Sequence, residues 1–352
     1  MSTRGISEER DGVSYMKCSY LESPGKIATM EIETPVRKEQ EALIKVLSVG
    51  ICGSDIGAFK GVNPLVSYPR IIGHEIAGVV VEIGENKKNI KPGDWVIVDP
   101  YIYCGKCYPC SLGRTNCCED LKVIGVHIDG GMAELFTHPA DMLHKVPKNI
   151  PVEQIPAAEP LTIALHAIHR TNVKSGEHVT IIGAGSIGLL AALAAKTYGA
   201  LPILIDVLDA RLEQARAMGI ENTINAKSEE AEARIREITG GRMSEVVIEA
   251  SGANQSIRNT IDFASYAGRI ALTGWPKAET SLPTNLITKK ELDIKGARTS
   301  AGEFYEALEL ISRGIIDVAP VISKVIKMEE IPDAVMELAE FPERYLKVNA
   351  VF

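Results

Sequence analysis

The stretch His178 to Gly199, HVTIIGAGSIGLLAALAAKTYG, limits the fold more than any other part of the chain. A short apolar run leads directly into Gly-Ala-Gly-Ser-Ile-Gly, and an Ala- and Leu-rich run follows, ending at a glycine. The first run has the length of a buried strand and the second that of a helix, with Gly199 suited to the C′ position just past its end. The texture then continues. LPILID reads as a strand, DARLEQARAMG from Asp209 as a helix, and SEVVIEASG and GRIALTGW as later strands. Apolar strands alternating with helices imply an α/β fold built on a doubly wound parallel sheet. Residues His178 to Ala195 carry no formal charge, which raises a membrane span as an alternative. The glycines at 183, 185 and 188 divide the run and argue against it.

Each glycine of the turn has its own task. Gly183 permits the tight bend, Gly185 lets the backbone approach a pyrophosphate, and Gly188 allows close helix–strand packing. Ser186 and Ile187 open the helix, whose free N–H groups and positive dipole end would face phosphates. Asp206 ends the next strand, eighteen residues after Gly188. A carboxylate there accepts hydrogen bonds from ribose hydroxyls and repels a 2′-phosphate, so NAD is expected over NADP. Arg211 completes the expected coenzyme-binding residues. The competing reading is a structural glycine turn with Asp206 as an ordinary strand end.

Before about residue 150 the pattern is different. ALIKVLSVGIC, EIAGVVVEIG and DWVIVDP are β-rich runs broken by glycine and proline, the mark of an irregular β-rich domain. After about residue 295 the mixed texture returns, so 296–352 is expected to rejoin the first domain. Residues 1–15 are polar and charged, lack the apolar segment of a signal peptide, and read as a flexible leader. A chain of 352 residues, 45% hydrophobic and 24% charged, is sized for two globular domains. Its net charge of −8, with no dense Lys/Arg block, argues against a nucleic-acid partner. The expected compartment is a reducing cytoplasm, where clustered cysteines hold metal more often than they form disulfides.

Five of the seven cysteines fall in CGKCYPCSLGRTNCC, residues 104–118. Cys104, Cys107, Cys110 and Cys118 have the spacing Cys-x2-Cys-x2-Cys-x7-Cys, which can surround a tetrahedral zinc and leave no position open. Such a site stiffens a loop and does no chemistry. Cys117 is then the spare. A CxxC redox pair and an unmetallated loop are the alternatives. A second constellation is dispersed: Cys52 in GICGSDIG, His74 and Glu75 in IIGHEIAG, and Glu159 in AAEPLT. Each alone is unremarkable, a small buried thiol or a hydrogen-bonded core histidine. Together with a nucleotide site they suit a zinc centre that keeps a position open for substrate. Pro160 suits a helix N1 position and sets Glu159 where the two domains meet.

These motifs, in this order, resemble the zinc-dependent medium-chain dehydrogenases, among them sorbitol, threonine and alcohol dehydrogenases. The resemblance runs from about residue 16 to the end and rests on CGSD, GHEIAG, the four-cysteine lobe, EP at 159–160, GAGSIG and Asp206. It implies a GroES-like β-rich catalytic domain at 16–158 with a zinc lobe at 100–120. It implies a Rossmann NAD-binding domain at 159–295, a return at 296–352, and an active site in the cleft between them. It further implies a structural zinc on Cys104, Cys107, Cys110 and Cys118, and a catalytic zinc on Cys52, His74 and Glu75. Glu159 falls where the polyol branch carries a carboxylate. The implied reaction is removal of hydride from a secondary alcohol activated by zinc. Ser54 matches the hydroxyl that accepts the alcohol proton, or is simply a loop hydroxyl. Many relatives carry a histidine five residues after the zinc-bound cysteine, and here that position is Gly57, which puts the full proton relay in doubt.

VIGVHIDGG (123–131) and GRTNCCE (113–119) look most like the sugar-acid branch, the L-galactonate and L-gulonate 5-dehydrogenases. A sugar acid needs a cation for its carboxylate. Arg298 stands where polyol dehydrogenases have a substrate-facing arginine, and His127 is the second candidate. The competing roles are an interdomain salt bridge for Arg298 and loop packing for His127. His166 and His169 receive no role. The alternatives are a polyol dehydrogenase, an L-threonine 3-dehydrogenase, or a zinc- and NAD-binding sensor or structural subunit without turnover. A homo-oligomer with a small-molecule substrate and no membrane partner is expected.

Overall fold

The computed structural model describes residues 8–10 and 12–352. The chain divides into two compact units. One runs up to Glu159 and resumes over Ile322–Phe352, and the other is Pro160–Val321.

The second unit holds a six-stranded sheet in the order Asn222–Asn225, Leu201–Asp206, His178–Ile182, Ser244–Glu249, Ala264–Leu272, Asp293–Gly296. Every neighbouring pair is parallel. Numbered from His178–Ile182 along the chain the order is 3-2-1-4-5-6, the arrangement of dinucleotide-binding sheets. Ile203, Ile205, Val247 and Ile270 are fully or almost fully buried in its core, which is why these strands read as unbroken apolar runs. The helix Ser186–Thr197 starts directly after Gly185, and Gly199 takes φ +72° just past the C-cap Tyr198, as expected.

The return to the first unit comes at Ile322, not at 296. Residues 296–321 stay with the sheet for two reasons. Asp293–Gly296 is its sixth strand. Glu303 then accepts hydrogen bonds from His166 Nδ1 (2.8 Å) and His169 Nδ1 (3.3 Å) on the helix Ala158–Thr171. The two histidines without an assigned role are thus the anchor of this segment. Pro160 is the third residue of that helix, not the first. Its missing N–H costs little anywhere in the first turn, where no intrahelical acceptor exists.

In the first unit a seven-stranded sheet has the order Leu143–Lys145, Trp95–Val98, Glu75–Ile83, Glu41–Ile51, Val348–Val351, Lys324–Lys327, and Leu135–Pro139 also pairs with Glu41–Ile51. Ile44, Val46, Val49, Ile76, Val96 and Ala350 fill its core. A second sheet contains Glu8–Arg10 paired antiparallel with Val13–Ser23. Gly12, at φ +78°, makes the turn between them. The expected leader 1–15 is therefore partly a strand pairing, and its residues 1–7 and 11 lie outside the described residues. No helix among the described residues is long and apolar enough to cross a membrane.

Candidate metal and coenzyme sites

Cross-strand register assembles the dispersed constellation. Gly50 pairs with Glu75 between the antiparallel strands Glu41–Ile51 and Glu75–Ile83. Cys52, just past the end of one strand, therefore lies beside His74 and Glu75 at the start of the other. Ligand atoms of Cys52, His74 and Glu75 all lie within 4.8 Å of one another. Cys52 is also the N-cap of the helix Gly53–Phe59. Asp55, in the first turn of that helix, locks the two segments together: its carboxylate accepts the N–H of Cys52 (2.9 Å) and of Gly73 (3.0 Å). Burial pushes Asp55 above the usual carboxylate range.

The cluster fits a cation. His74 Nδ1 and Glu75 Oε2 are buried without a hydrogen-bond partner, which is costly unless a positive centre takes up their lone pairs. Burial pulls the His74 imidazole down, but Cys52 and its hydrogen bond, then Asp55 and Glu159, hold it well above its ordinary value. Glu159 stands outside the ligand group. Its carboxylate accepts a hydrogen bond from the buried Tyr101 hydroxyl. Burial pushes the Glu159 carboxyl up, against the pull of His74, Tyr101 and Lys347. The Ser54 hydroxyl is buried and unpartnered at the second position of the helix Gly53–Phe59. Gly57 lies on the same helix, and a Cβ there would meet nothing nearer than Asn63 Cβ at 3.7 Å, so the missing histidine is not excluded by crowding at that point.

Two residues of this cluster escaped the sequence reading. Lys347, next to the strand Val348–Val351, is buried and donates to Glu75 Oε1. Burial pulls its ammonium down, but Glu75 and Cys52 raise it above the ordinary lysine value. Gly50 makes the room: a Cβ on it would stand 1.9 Å from Glu75 Oε2 and 3.1 Å from Lys347 Cε. A glycine inside a strand does signal such close approach, but a lysine before a strand carries no comparable mark.

The cysteine lobe is closed by the strand pair Tyr101–Ile102 and Lys122–Val123. Cys104, Cys107, Cys110 and Cys118 bring their sulfurs within 4.8 Å of one another, and Cys117 is not in the group. The Cys107 sulfur lies 3.4 Å from that of Cys110 and 3.8 Å from that of Cys118. Tetrahedral zinc with Zn–S bonds of about 2.3 Å needs sulfur edges of about 3.8 Å, which the Cys107–Cys118 edge matches while the Cys107–Cys110 edge is shorter. Backbone N–H groups of Lys106 and Cys107 pull the Cys104 thiol down to about 6, so one thiolate is ready for a metal. All seven cysteines are free of disulfides.

In the second unit the glycine turn has the geometry that its sequence implies. Gly183 takes φ +102°. A Cβ on Gly188 would stand 1.8 Å from the Gly183 carbonyl oxygen, and a Cβ on Gly185 would meet nothing within 4 Å. The open side of Gly185 at a helix N-terminus is the cradle a pyrophosphate fills. Asp206 accepts the N–H of Ala184 (2.6 Å), Val207 (2.7 Å) and Leu208 (2.9 Å), and Arg211 lies 3.9 Å from it. Arg298 is exposed on this unit. His127 belongs to the first unit, where its Nδ1 accepts the Val123 N–H (3.0 Å).

Known proteins share both units. Residues 38–148 match the alcohol dehydrogenase GroES-like domain, and residues 186–313 match the zinc-binding dehydrogenase family. An uncharacterized zinc-type alcohol dehydrogenase-like protein of Haemophilus influenzae is 61% identical, over 96% of this chain and 99% of its own. The L-galactonate-5-dehydrogenase of Escherichia coli K12 is 37% identical, over 86% of this chain and 89% of its own. A crystal structure of RspB from Escherichia coli CFT073, complexed with NADH, superposes with a TM-score of 0.89 at 33% identity, covering 96% of this chain and 99% of that one. The chain belongs to the zinc-dependent medium-chain dehydrogenase family. Its fold is a GroES-like domain joined to a Rossmann domain, and the family's chemistry is that of an NAD(P)-dependent oxidoreductase acting on small molecules.

Proposed function

We propose that this protein oxidises a secondary hydroxyl of a hexonate, such as L-gulonate or L-galactonate, to a keto-acid of the fructuronate or tagaturonate type, with NAD as hydride acceptor. The observation that carries the substrate class is the likeness to an L-galactonate-5-dehydrogenase over most of both chains. Cys52, His74 and Glu75 would hold one zinc, with Glu159 beside them, and Cys104, Cys107, Cys110 and Cys118 a second. The first ion supplies Lewis-acid polarisation of the alcohol, and the nicotinamide supplies the hydride acceptor.

The chain's own residues do the rest. Ser54, with a buried hydroxyl and no other partner, takes the alcohol proton. With glycine at 57 that proton passes to solvent. Gly183, Gly185, Ser186, Ile187 and Gly188 receive the coenzyme phosphates. Asp206, braced by three backbone N–H groups and with Arg211 beside it, reads the ribose and disfavours a 2′-phosphate. Arg298 grips the substrate carboxylate by two parallel hydrogen bonds. His127, whose Nδ1 accepts the Val123 N–H, is the second candidate for that carboxylate. In this reading the enzyme works in the cytoplasm as a homo-oligomer.

NADH formation with L-gulonate, L-galactonate, sorbitol and L-threonine tests the reading. A hexonate should be the best substrate by kcat/KM. Sorbitol or threonine as the best would refute the sugar-acid assignment and leave the family.

A further inference from the structure

Tyr101 stands between the cysteine lobe and the buried carboxylate of Glu159. It forms one buried cluster with Cys118 and Leu121, against which Cys104, Cys107, Cys110 and Val123 pack. Its backbone is the first residue of the short strand that closes the lobe. Its hydroxyl, at the far end of the same ring, donates to Glu159 Oε1. Tyr101 and Glu159 are both buried, and Glu159 is close enough to act electrostatically on His74. Glu159 nevertheless lies outside the group formed by Cys52, His74 and Glu75. A rigid aromatic ring with two torsions transmits position well. The lobe and Glu159 are therefore joined by one side chain.

We propose that Tyr101 is a positioning residue: the four-cysteine lobe clamps its ring, and its hydroxyl holds the Glu159 carboxylate back from the Cys52–His74–Glu75 cluster. The proposal rests on the reading of both cysteine-bearing groups as metal sites. It gives the lobe a duty beyond stiffening a loop, because order in the lobe sets where Glu159 stands. With the phenol's bond removed and zinc held by Cys52, His74 and Glu75, the Glu159 carboxylate would be drawn toward that positive charge.

The test uses zinc-loaded protein challenged with excess chelator, with zinc release followed in time. Cys52→Ala identifies the cluster phase, and Cys118→Ser the lobe phase. Tyr101→Phe keeps the packed ring and removes the hydroxyl. It should slow the cluster phase about threefold or more and leave the lobe phase unchanged. Cys118→Ser should slow the cluster phase in the same direction, and combining the two should slow it no further, since coupled residues are not additive. Should Cys118→Ser fail to fold, Cys104→Ser takes its place. Adding Glu159→Gln to Tyr101→Phe should return the rate to that of Glu159→Gln alone. With Co2+ in place of zinc, the visible bands of the cluster should shift in Tyr101→Phe and not in the variant that also carries Glu159→Gln. Independent, multiplying effects of Tyr101→Phe and Cys118→Ser would overturn the coupling, as would an unchanged cluster phase in either. A wild type showing the lobe phase alone would instead overturn the metal reading of the cluster, and the proposal with it.

Discussion

Replacing Lys347 by methionine removes an ammonium from a buried pair and leaves a side chain of similar length. The side chains of Lys347 and Glu75 are 3% and 1% exposed, and Glu75 Oε2 has no hydrogen-bond partner that could take over. Breaking such a pair on one side costs about 3–5 kcal/mol, since the charge left behind stays buried and uncompensated. With a urea slope of about 2–3 kcal/mol per molar, the unfolding midpoint of metal-stripped protein should fall by about 1–2 M. The chain has two tryptophans, Trp95 in the first unit and Trp275, 78% exposed, in the second. A Trp275→Phe background makes the fluorescence of Trp95 report the unit that carries the pair. Lys347 titrates above its unfolded value of about 10.4, so its contribution is complete below that pH and lost only as pH rises through the folded value. Measurement at pH 8 therefore sees all of it. Lys347→Met with Glu75→Gln leaves neither charge and should recover most of the loss. Zinc should recover part of it in Lys347→Met, as a second source of positive charge. A loss under about 1 kcal/mol in the single variant, or no recovery in the double, would refute the reasoning.

Three further outcomes are expected. Metal analysis should show Cys118→Ser losing the lobe zinc and Cys117→Ser keeping it, because only the Cys118 sulfur joins the other three; the reverse result would reassign the fourth ligand. NAD should be preferred over NADP by roughly ten- to a hundredfold in kcat/KM, and Asp206→Asn should narrow the gap while retaining an acceptor for the Val207 and Leu208 N–H groups. Equal efficiency with both coenzymes in the wild type would disprove the role of Asp206. Burial pulls the His138 imidazole down to about 4, with Nε2 bonded to the Asp99 carbonyl at 2.9 Å. The unfolded chain then binds more protons between about pH 6.5 and 4, so stability should fall by about 3 kcal/mol as pH drops through that window. His138→Gln should flatten this part of the curve of urea midpoint against pH, and an unchanged curve would exclude His138 as the cause.

What was legible in the sequence was local or periodic. The glycine turn needs only its own six residues and the flanking apolar runs. The lobe needs only fifteen residues, and its x7 spacing picks, of two adjacent cysteines, the one whose sulfur lies with the other three. Cys52, His74 and Glu75 could be grouped because each residue type already suits a metal. The partners that hold them were hidden. Tyr101 looks like a strand aromatic, Lys347 like a surface lysine, and Gly50 like a weak point in a strand, until the fold brings them against a carboxylate. The two misplaced boundaries have the same origin. Glu8–Arg10 is polar enough to read as a leader, but it finds a partner strand across Gly12. Residues 296–321 lack a strand–helix rhythm of their own, but a bond from Glu303 to His166, 137 residues away, ties them to the sheet unit.

The bond between Glu75 and Lys347 spans 272 positions of the chain, and the whole Pro160–Val321 unit is made between its two ends. During synthesis Glu75 and its strand emerge long before the strand Val348–Val351, which the sheet needs between Glu41–Ile51 and Lys324–Lys327. The nucleotide-binding unit, by contrast, is continuous in sequence and can fold while the ribosome is still translating the remainder. The metal-binding unit is thus begun first and finished last, and it passes through an interval in which a carboxylate destined for the interior has no counter-charge. Non-local closure of this kind is slow and leaves strand edges open to wrong partners. If zinc is held by the Cys52–His74–Glu75 corner as proposed, an ion captured early would supply the missing positive charge during that interval, and metal supply would then bear on how much chain matures.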